Sequence, residues 1–143
     1  MPDAPAIDDI TTALEAWAPP GSAQDYDNVG LQVGDASRSV TSAVLALDAT
    51  PAVLAEAKAH DAELVVTHHP LLFRPLDGVT ADGYVSNLAL QFAEAGIGLY
   101  SIHTNLDAAP EGVSFALAER LGLTDVGFLD GFADTLYKLA VFV

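Results

Sequence analysis

Apolar positions along the chain fall into two periods. Ile7, Ile10, Leu14 and Trp17 are spaced by three, four and three, which marks one face of a helix that Pro19-Pro20-Gly21 ends. A polar loop, Ser22 to Asn28, leads into Val29–Gly34, a short extended piece punctuated by glycines. Val40–Leu47 is rich in β-branched and aliphatic residues and reads as a buried strand closed by Asp48. Thr50 then serves as an N-cap and Pro51 as the first helical position, opening an alanine-rich helix over Ala52–His60. Leu64–Thr67 is the second strand. The four-residue repeat of Tyr84, Leu88 and Phe92 predicts a helix from Tyr84 to Ala95, with Gly96 as its left-handed cap. Ile97–Ile102 is the third strand. A helix after Pro110 runs to about Leu121 before Gly122, and Leu136–Val143 is a fourth apolar strand.

Strands alternating with helices of this length form βαβ units. The expected fold class is therefore α/β, with a largely parallel sheet in a single domain over residues 1–143. The chain stops on Leu139-Ala140-Val141-Phe142-Val143. Natural termini usually leave the core for the surface, so the sequence reads as the N-terminal part of something longer.

Composition narrows the choice. At 51% hydrophobic residues the chain can bury a core that offsets its ordering entropy, which excludes disorder as the main state. No stretch approaches the ~18 uninterrupted apolar residues of a helical membrane span. The acidic N-terminus is unlike a secretory signal. The absence of cysteine excludes disulfides and thiolate ligands and agrees with a cytoplasmic setting. Twenty acids against five scattered bases give a net charge of −15, a load that also suits a salt-rich cytoplasm. No basic stripe exists to neutralise a nucleic-acid backbone or an anionic membrane.

Candidate chemistry gathers after the strands. The second strand ends in Thr67-His68-His69-Pro70, the third in His103-Thr104-Asn105-Leu106-Asp107, and the first in Asp48. In a parallel α/β sheet these ends open at one edge, where ligands bind. His68, His69, His103 and Asp107 can thus converge, with Asp48 in reach. Imidazole and carboxylate without sulfur suit zinc, manganese, iron, nickel or cobalt. Two adjacent histidines on a regular strand point to opposite faces. Leaving the strand before Pro70 lets both rings turn to one place, or to two different ions. Asp107 has two oxygens and can bridge two ions, and a two-ion centre makes a nucleophile from water at neutral pH. His60, at a helix C-terminus, reads as exposed and structural.

Other patterns are weaker. Gly30-Leu31-Gln32-Val33-Gly34 lacks the lysine and hydroxyl of a phosphate loop. Ser101 lies near His103 without the strand-turn-helix elbow of a serine nucleophile. Asp25, Asp27 and Asn28 lack the spacing and glycine of a calcium-binding loop.

Three segments together carry a family resemblance: Tyr26-Asp27-Asn28-Val29-Gly30-Leu31-Gln32-Val33-Gly34, Val66-Thr67-His68-His69-Pro70-Leu71-Leu72-Phe73 and Tyr100-Ser101-Ile102-His103-Thr104-Asn105-Leu106-Asp107. In that order and spacing, from about Ile7 to Val143, the chain resembles the Nif-three-like family of Ngg-one-interacting factor-three homologues, also called type-two GTP cyclohydrolase-one homologues. The resemblance implies a Nif-three-like α/β fold, a dinuclear metal centre and a toroidal homohexamer. By motif, His68 and His69 would be metal ligands, Asp107 a ligand of one ion, and His103 a ligand or close neighbour. The Asp27–Gly34 loop would shape the site. Metal-dependent hydrolysis is the activity the resemblance suggests, and the cyclohydrolase name is an association rather than an established reaction. One departure stands out: the family's later His-x-x-x-Glu segment, which completes the metal set, is missing, since no histidine follows Asp107. The chain as given supplies about half a site of a two-lobed protein. The functional expectation is a metal-dependent hydrolase acting on a nucleotide or other phosphate- or ring-containing metabolite; the alternatives are a non-catalytic metal-binding regulatory module and a purely structural domain.

Overall fold

A computed structural model describes residues 4–128. The elements are α1 (Ile7–Trp17), a 3-10 turn (Pro20–Ser22), β1 (Gly30–Val33), β2 (Ala43–Ala46), α2 (Pro51–Ala59), β3 (Leu64–Thr67), α3 (Tyr84–Ala95), β4 (Gly98–Ser101), α4 (Thr104–Ala108) and α5 (Val113–Arg120). Local chemistry sets several of the ends. The Asp9 carboxylate accepts from the Ala6 N–H at 2.8 Å, and the Thr50 hydroxyl accepts from Val53 N–H at 3.2 Å ahead of Pro51, each satisfying a donor that the first turn leaves open. Gly96 closes α3 with φ of 65°, as a left-handed cap requires.

The four strands form one sheet in the order β1-β4-β3-β2. β2 runs parallel to β3 and β3 parallel to β4, whereas β1 pairs antiparallel with β4. The sheet is thus mostly parallel, with one antiparallel edge. β1 precedes the first βαβ unit, so no crossover helix constrains its direction. It departs from regular pairing between Leu31 and Val33. Gly34 then passes so close to β4 that a Cβ there would lie 2.9 Å from the Gly98 Cα, with φ at +121°. No side chain fits this approach.

Both faces of the sheet are covered, which is why β3 and β4 are continuously buried. Leu54 and Ala57 of α2 and Leu88 and Phe92 of α3 pack with Val65 and Leu99 on one face. Ile7 of α1 packs with Leu64, Val66, Tyr100 and Ile102 on the other, together with Ala109 just after α4. Two expected helix positions lie outside these cores. Trp17 is 46% exposed, its indole N–H donating to the Pro110 carbonyl at 3.0 Å, and Tyr84 is exposed at the start of α3. The expected strand Val40–Leu47 shortens to Ala43–Ala46; among the described residues β2 is an edge of the sheet, and Leu45 and Leu47 are exposed. The segment after β4, read as a loop, is instead the short helix α4, and α5 begins at Val113 rather than directly after Pro110. The expected strand Leu136–Val143 lies outside the described residues.

Two stability predictions follow from this packing. Phe92 is fully buried between α2, α3 and the sheet, so Phe92→Ala should cost about 3–5 kcal/mol in urea denaturation; a loss below about 1 kcal/mol would contradict the core described. Burial, reinforced by the adjacent Glu15 carboxylate that accepts from its hydroxyl at 3.3 Å, pushes the Tyr100 phenol well above its ordinary value. A raised folded-state value means that this contribution is intact below about pH 10 and is lost as pH rises further. Tyr100→Phe should flatten that alkaline loss in stability-against-pH curves, and an unchanged slope would refute the assignment.

Candidate metal centre

The carboxyl ends of β2, β3 and β4 meet at one edge. Register does the positioning: Thr67 lies opposite Ser101, the Ile102 N–H donates to Thr67 O at 2.9 Å, and the Ser101 hydroxyl donates to His68 O at 3.0 Å. That hydroxyl is spent on backbone, so Ser101 is no poised nucleophile. Beyond the last regular β3 residue, His68 N–H reaches Ala46 O at 3.2 Å and His69 N–H reaches Leu47 O at 2.9 Å. The Thr67 hydroxyl donates to His69 O at 2.9 Å and tightens the bend. The two neighbouring rings therefore face the same region instead of opposite faces.

Ring centroids of His68, His69 and His103 lie 5.0, 5.1 and 5.5 Å apart. One potential ligand atom from each lies within 4.8 Å of the others. Every ring has an acceptor at Nδ1. His68 faces the Ile102 carbonyl at 3.0 Å, His69 the Asp48 carboxylate at 2.8 Å, and His103 the Asp27 carboxylate at 2.9 Å. Carbonyl and carboxylate oxygens only accept, so each Nδ1 carries a hydrogen, and the neutral form of each ring has its lone pair on Nε2. That arrangement fits a metal: ligating histidines characteristically donate their other N–H to a carboxylate or carbonyl, which fixes the ring's tautomer and orientation.

Asp107 joins them. Its position on α4 places its Oδ1 3.6 Å from His68 Nε2. The helix starts immediately after His103, whose carbonyl accepts from Asp107 N–H at 3.2 Å. Asn105 locks this turn: its Oδ1 accepts from His103 N–H at 2.9 Å while its buried amide donates to Ala18 O at 2.8 Å. All four expected metal ligands thus stand at one edge, and Asp48 is beside His69. His60 caps α2 away from this edge, exposed and 3.0 Å from Glu56.

Sequence reasoning missed the anchoring roles of Asp27 and Asn105. The Asp27 side chain is 0% exposed and accepts from the His103 ring, from the Thr104 N–H and hydroxyl, and from Asn28 N–H. Burial opposes its charge, but hydrogen bonds from His103, Thr104 and Asn28 outweigh burial and hold the carboxyl below the usual carboxylate range. The signal available for Asp27 was its place in the Tyr26–Gly34 segment; nothing local marked it as the partner of a histidine 76 residues away.

Fold and site together define an α/β protein that presents a histidine-carboxylate cluster at the ends of its parallel strands. The chain matches the Duf34/NIF3 (NGG1p interacting factor 3) family over residues 5–138 and belongs to that family. It is 42% identical over 116 residues to a Clostridium perfringens protein named GTP cyclohydrolase 1 type 2 homolog, covering 81% of this chain and 44% of the relative. A Lactococcus lactis relative of the same name is 38% identical over 124 residues, covering 87% and 48%. Among solved structures, Staphylococcus aureus protein SA1388 superposes with a TM-score of 0.81 at 35% identity, covering 88% of this chain and 41% of that one. Reduced HcgD from Methanocaldococcus jannaschii gives 0.77 at 35% identity, covering 85% and 48%. The chain spans less than half the length of each of these relatives.

The two carboxylates behind the rings should differ in weight. Asp27→Asn places an amide against four donors and should cost about 1–3 kcal/mol in urea denaturation. Asp48→Asn, half exposed, should cost no more than about 0.5 kcal/mol. Equal losses would mean that Asp27 is not the buried anchor described.

Proposed function

We propose that this chain supplies the N-terminal part of a dinuclear divalent-metal centre in a metal-dependent hydrolase of nucleotide or other phosphoester substrates. The observation that carries the reading is the gathering of three imidazoles, each with an acceptor at Nδ1 and each offering a potential ligand atom within 4.8 Å of the others. His68, His69 and His103 would hold metal through Nε2, and Asp107 would share the ion held by His68. A spacing within 4.8 Å is close enough for the three ligand atoms to serve one centre, and the pairing of two ions there is what the family resemblance implies. A bound pair of divalent ions supplies Lewis-acid charge for a phosphoryl oxygen and makes water a nucleophile near neutral pH. The chain's own part is orientation. Asp27, Asp48 and the Ile102 carbonyl hold each ring and keep its proton off the metal side.

Zinc, manganese, iron, nickel and cobalt all suit this donor set. Three histidines and one aspartate are fewer than two ions need, so the remaining ligands come from the His-x-x-x-Glu segment that the family resemblance implies and residues 1–143 lack. We place the complete protein in a homohexamer in the cytoplasm; the cysteine-free composition supports that compartment. The net charge of −15 repels anions at long range, so an anionic substrate is drawn in only by the local charge of the metals.

Metal analysis of full-length protein purified without chelator tests the reading. Two ions per complete site are expected, with His68→Ala and Asp107→Ala each lowering metal affinity by tenfold or more. A content near zero that does not rise with added zinc or manganese overturns it. A panel of nucleotides and phosphoesters should show turnover that Asp107→Ala abolishes. Metal retained with no turnover would identify a non-catalytic metal-binding module instead.

A further inference from the structure

A cleft of about 330 Å³ lies beside the histidines, lined by Tyr26, Asp27, Asn28, Leu72, Phe73 and Pro75. Two aromatic rings form part of its lining. Tyr26 is 68% exposed and Phe73 39% exposed, so neither is filling a core. They meet edge to face, with centroids 6.3 Å apart and planes at 71°. Phe73 meets the His103 ring in the same way, 6.3 Å away at 86°. Tyr26, Phe73 and His103 therefore form a continuous aromatic path from the cleft to the proposed metal ligands.

The walls are built before any ligand arrives. The Asn28 amide donates to Leu72 O, Leu72 N–H donates to Gln32 Oε1 at 2.9 Å, and the Gln32 amide donates back to Asn28 O at 2.8 Å. These three bonds staple the Tyr26–Asn28 loop to the segment carrying Leu72 and Phe73, and Asp27 ties the same loop to His103. A preformed cleft loses little affinity to ordering. Its volume lies at the lower end of small-molecule sites, which suits one planar ring system and not a polymer. Leu72, Phe73 and Pro75 make part of the lining apolar, and the Tyr26–Asn28 loop supplies the rest.

We infer that this cleft binds the planar heteroaromatic ring of the substrate, stacking it on Tyr26 and Phe73 while the reacting end meets the histidine edge. The inference rests on the reading of the histidine cluster as the reacting centre and deepens it: substrates are ring-bearing, nucleoside-like molecules rather than phosphoesters at large. It also answers the charge problem. A −15 surface disfavours anions at long range, whereas stacking of an uncharged ring is indifferent to that field.

The test separates ring from phosphate and cleft from metal. Adenosine, uridine and, as a ringless control, inorganic phosphate are titrated into full-length protein, both metal-stripped and zinc-loaded, by NMR shift perturbation. Both nucleosides should saturate in both metal states and perturb Tyr26 and Phe73, with phosphate leaving these two signals unmoved. Tyr26→Ala and Phe73→Ala should each weaken nucleoside binding about tenfold or more, as loss of a stacking partner does, and Tyr26→Phe should restore it. Tyr26 is on the surface, so its variants retain the fold. Absence of saturable nucleoside binding, or binding unchanged in Tyr26→Ala, overturns the inference even if metal binds normally. Nucleoside binding that persists in a protein taking up no metal supports the cleft and refutes only the metal reading.

Discussion

The parallel pairing of β3 with β4, in the register that sets Thr67 opposite Ser101, is the constraint on which the site rests. Three contacts at the strand ends enforce it: Ile102 N–H to Thr67 O, Ser101 hydroxyl to His68 O, and the His68 ring to Ile102 O. A one-residue slip would reverse every side chain between the two faces. It would exchange Leu64 and Val66 with Val65 between the two packed faces and separate His68 from His103. The apolar burial that stabilises the sheet and the geometry that gathers the imidazoles are therefore one requirement.

From that edge outward, the arrangement is a hierarchy of orientation. Backbone register sets where each histidine leaves the sheet. An acceptor behind each ring then chooses its tautomer, and these acceptors differ in kind: a main-chain carbonyl for His68, a half-exposed carboxylate for His69 and a buried carboxylate for His103. Asp27 does two jobs, because the loop that carries it also forms a wall of the aromatic cleft. The position of His103 and the shape of the cleft are consequently coupled through one side chain.

Much of this was legible in the sequence where the signal is local. Thr50-Pro51 and Gly96 mark helix ends through backbone chemistry that needs no tertiary context, and the strand ends at Thr67 and near Ile102 are visible as apolar runs meeting polar residues. The convergence of His68, His69, His103 and Asp107 followed from the general rule for parallel sheets. What failed depended on distant packing. Trp17 and Tyr84 have core spacing, but periodicity does not say how far the covering layer extends. Leu45 reads as a core residue, but the sheet order sets β2 at an edge among the described residues. The five residues of α4 are too few for a periodic signal, and its start is fixed by Asn105 bonding Ala18, far away in the chain. Asp27 reads as one acid among twenty until the fold brings it to His103.

The central claim, that three imidazoles are held with Nδ1 protonated and Nε2 free toward a common centre, can be measured directly. Long-range nitrogen–proton correlation spectra of metal-free protein near pH 8 report the tautomer of each histidine. The account predicts the Nδ1–H form for His68, His69 and His103, and on adding zinc a change at all three Nε2 atoms while exposed His60 stays unaffected. The Nε2–H form at these rings, or zinc perturbing His60 as much as the other three, would contradict it.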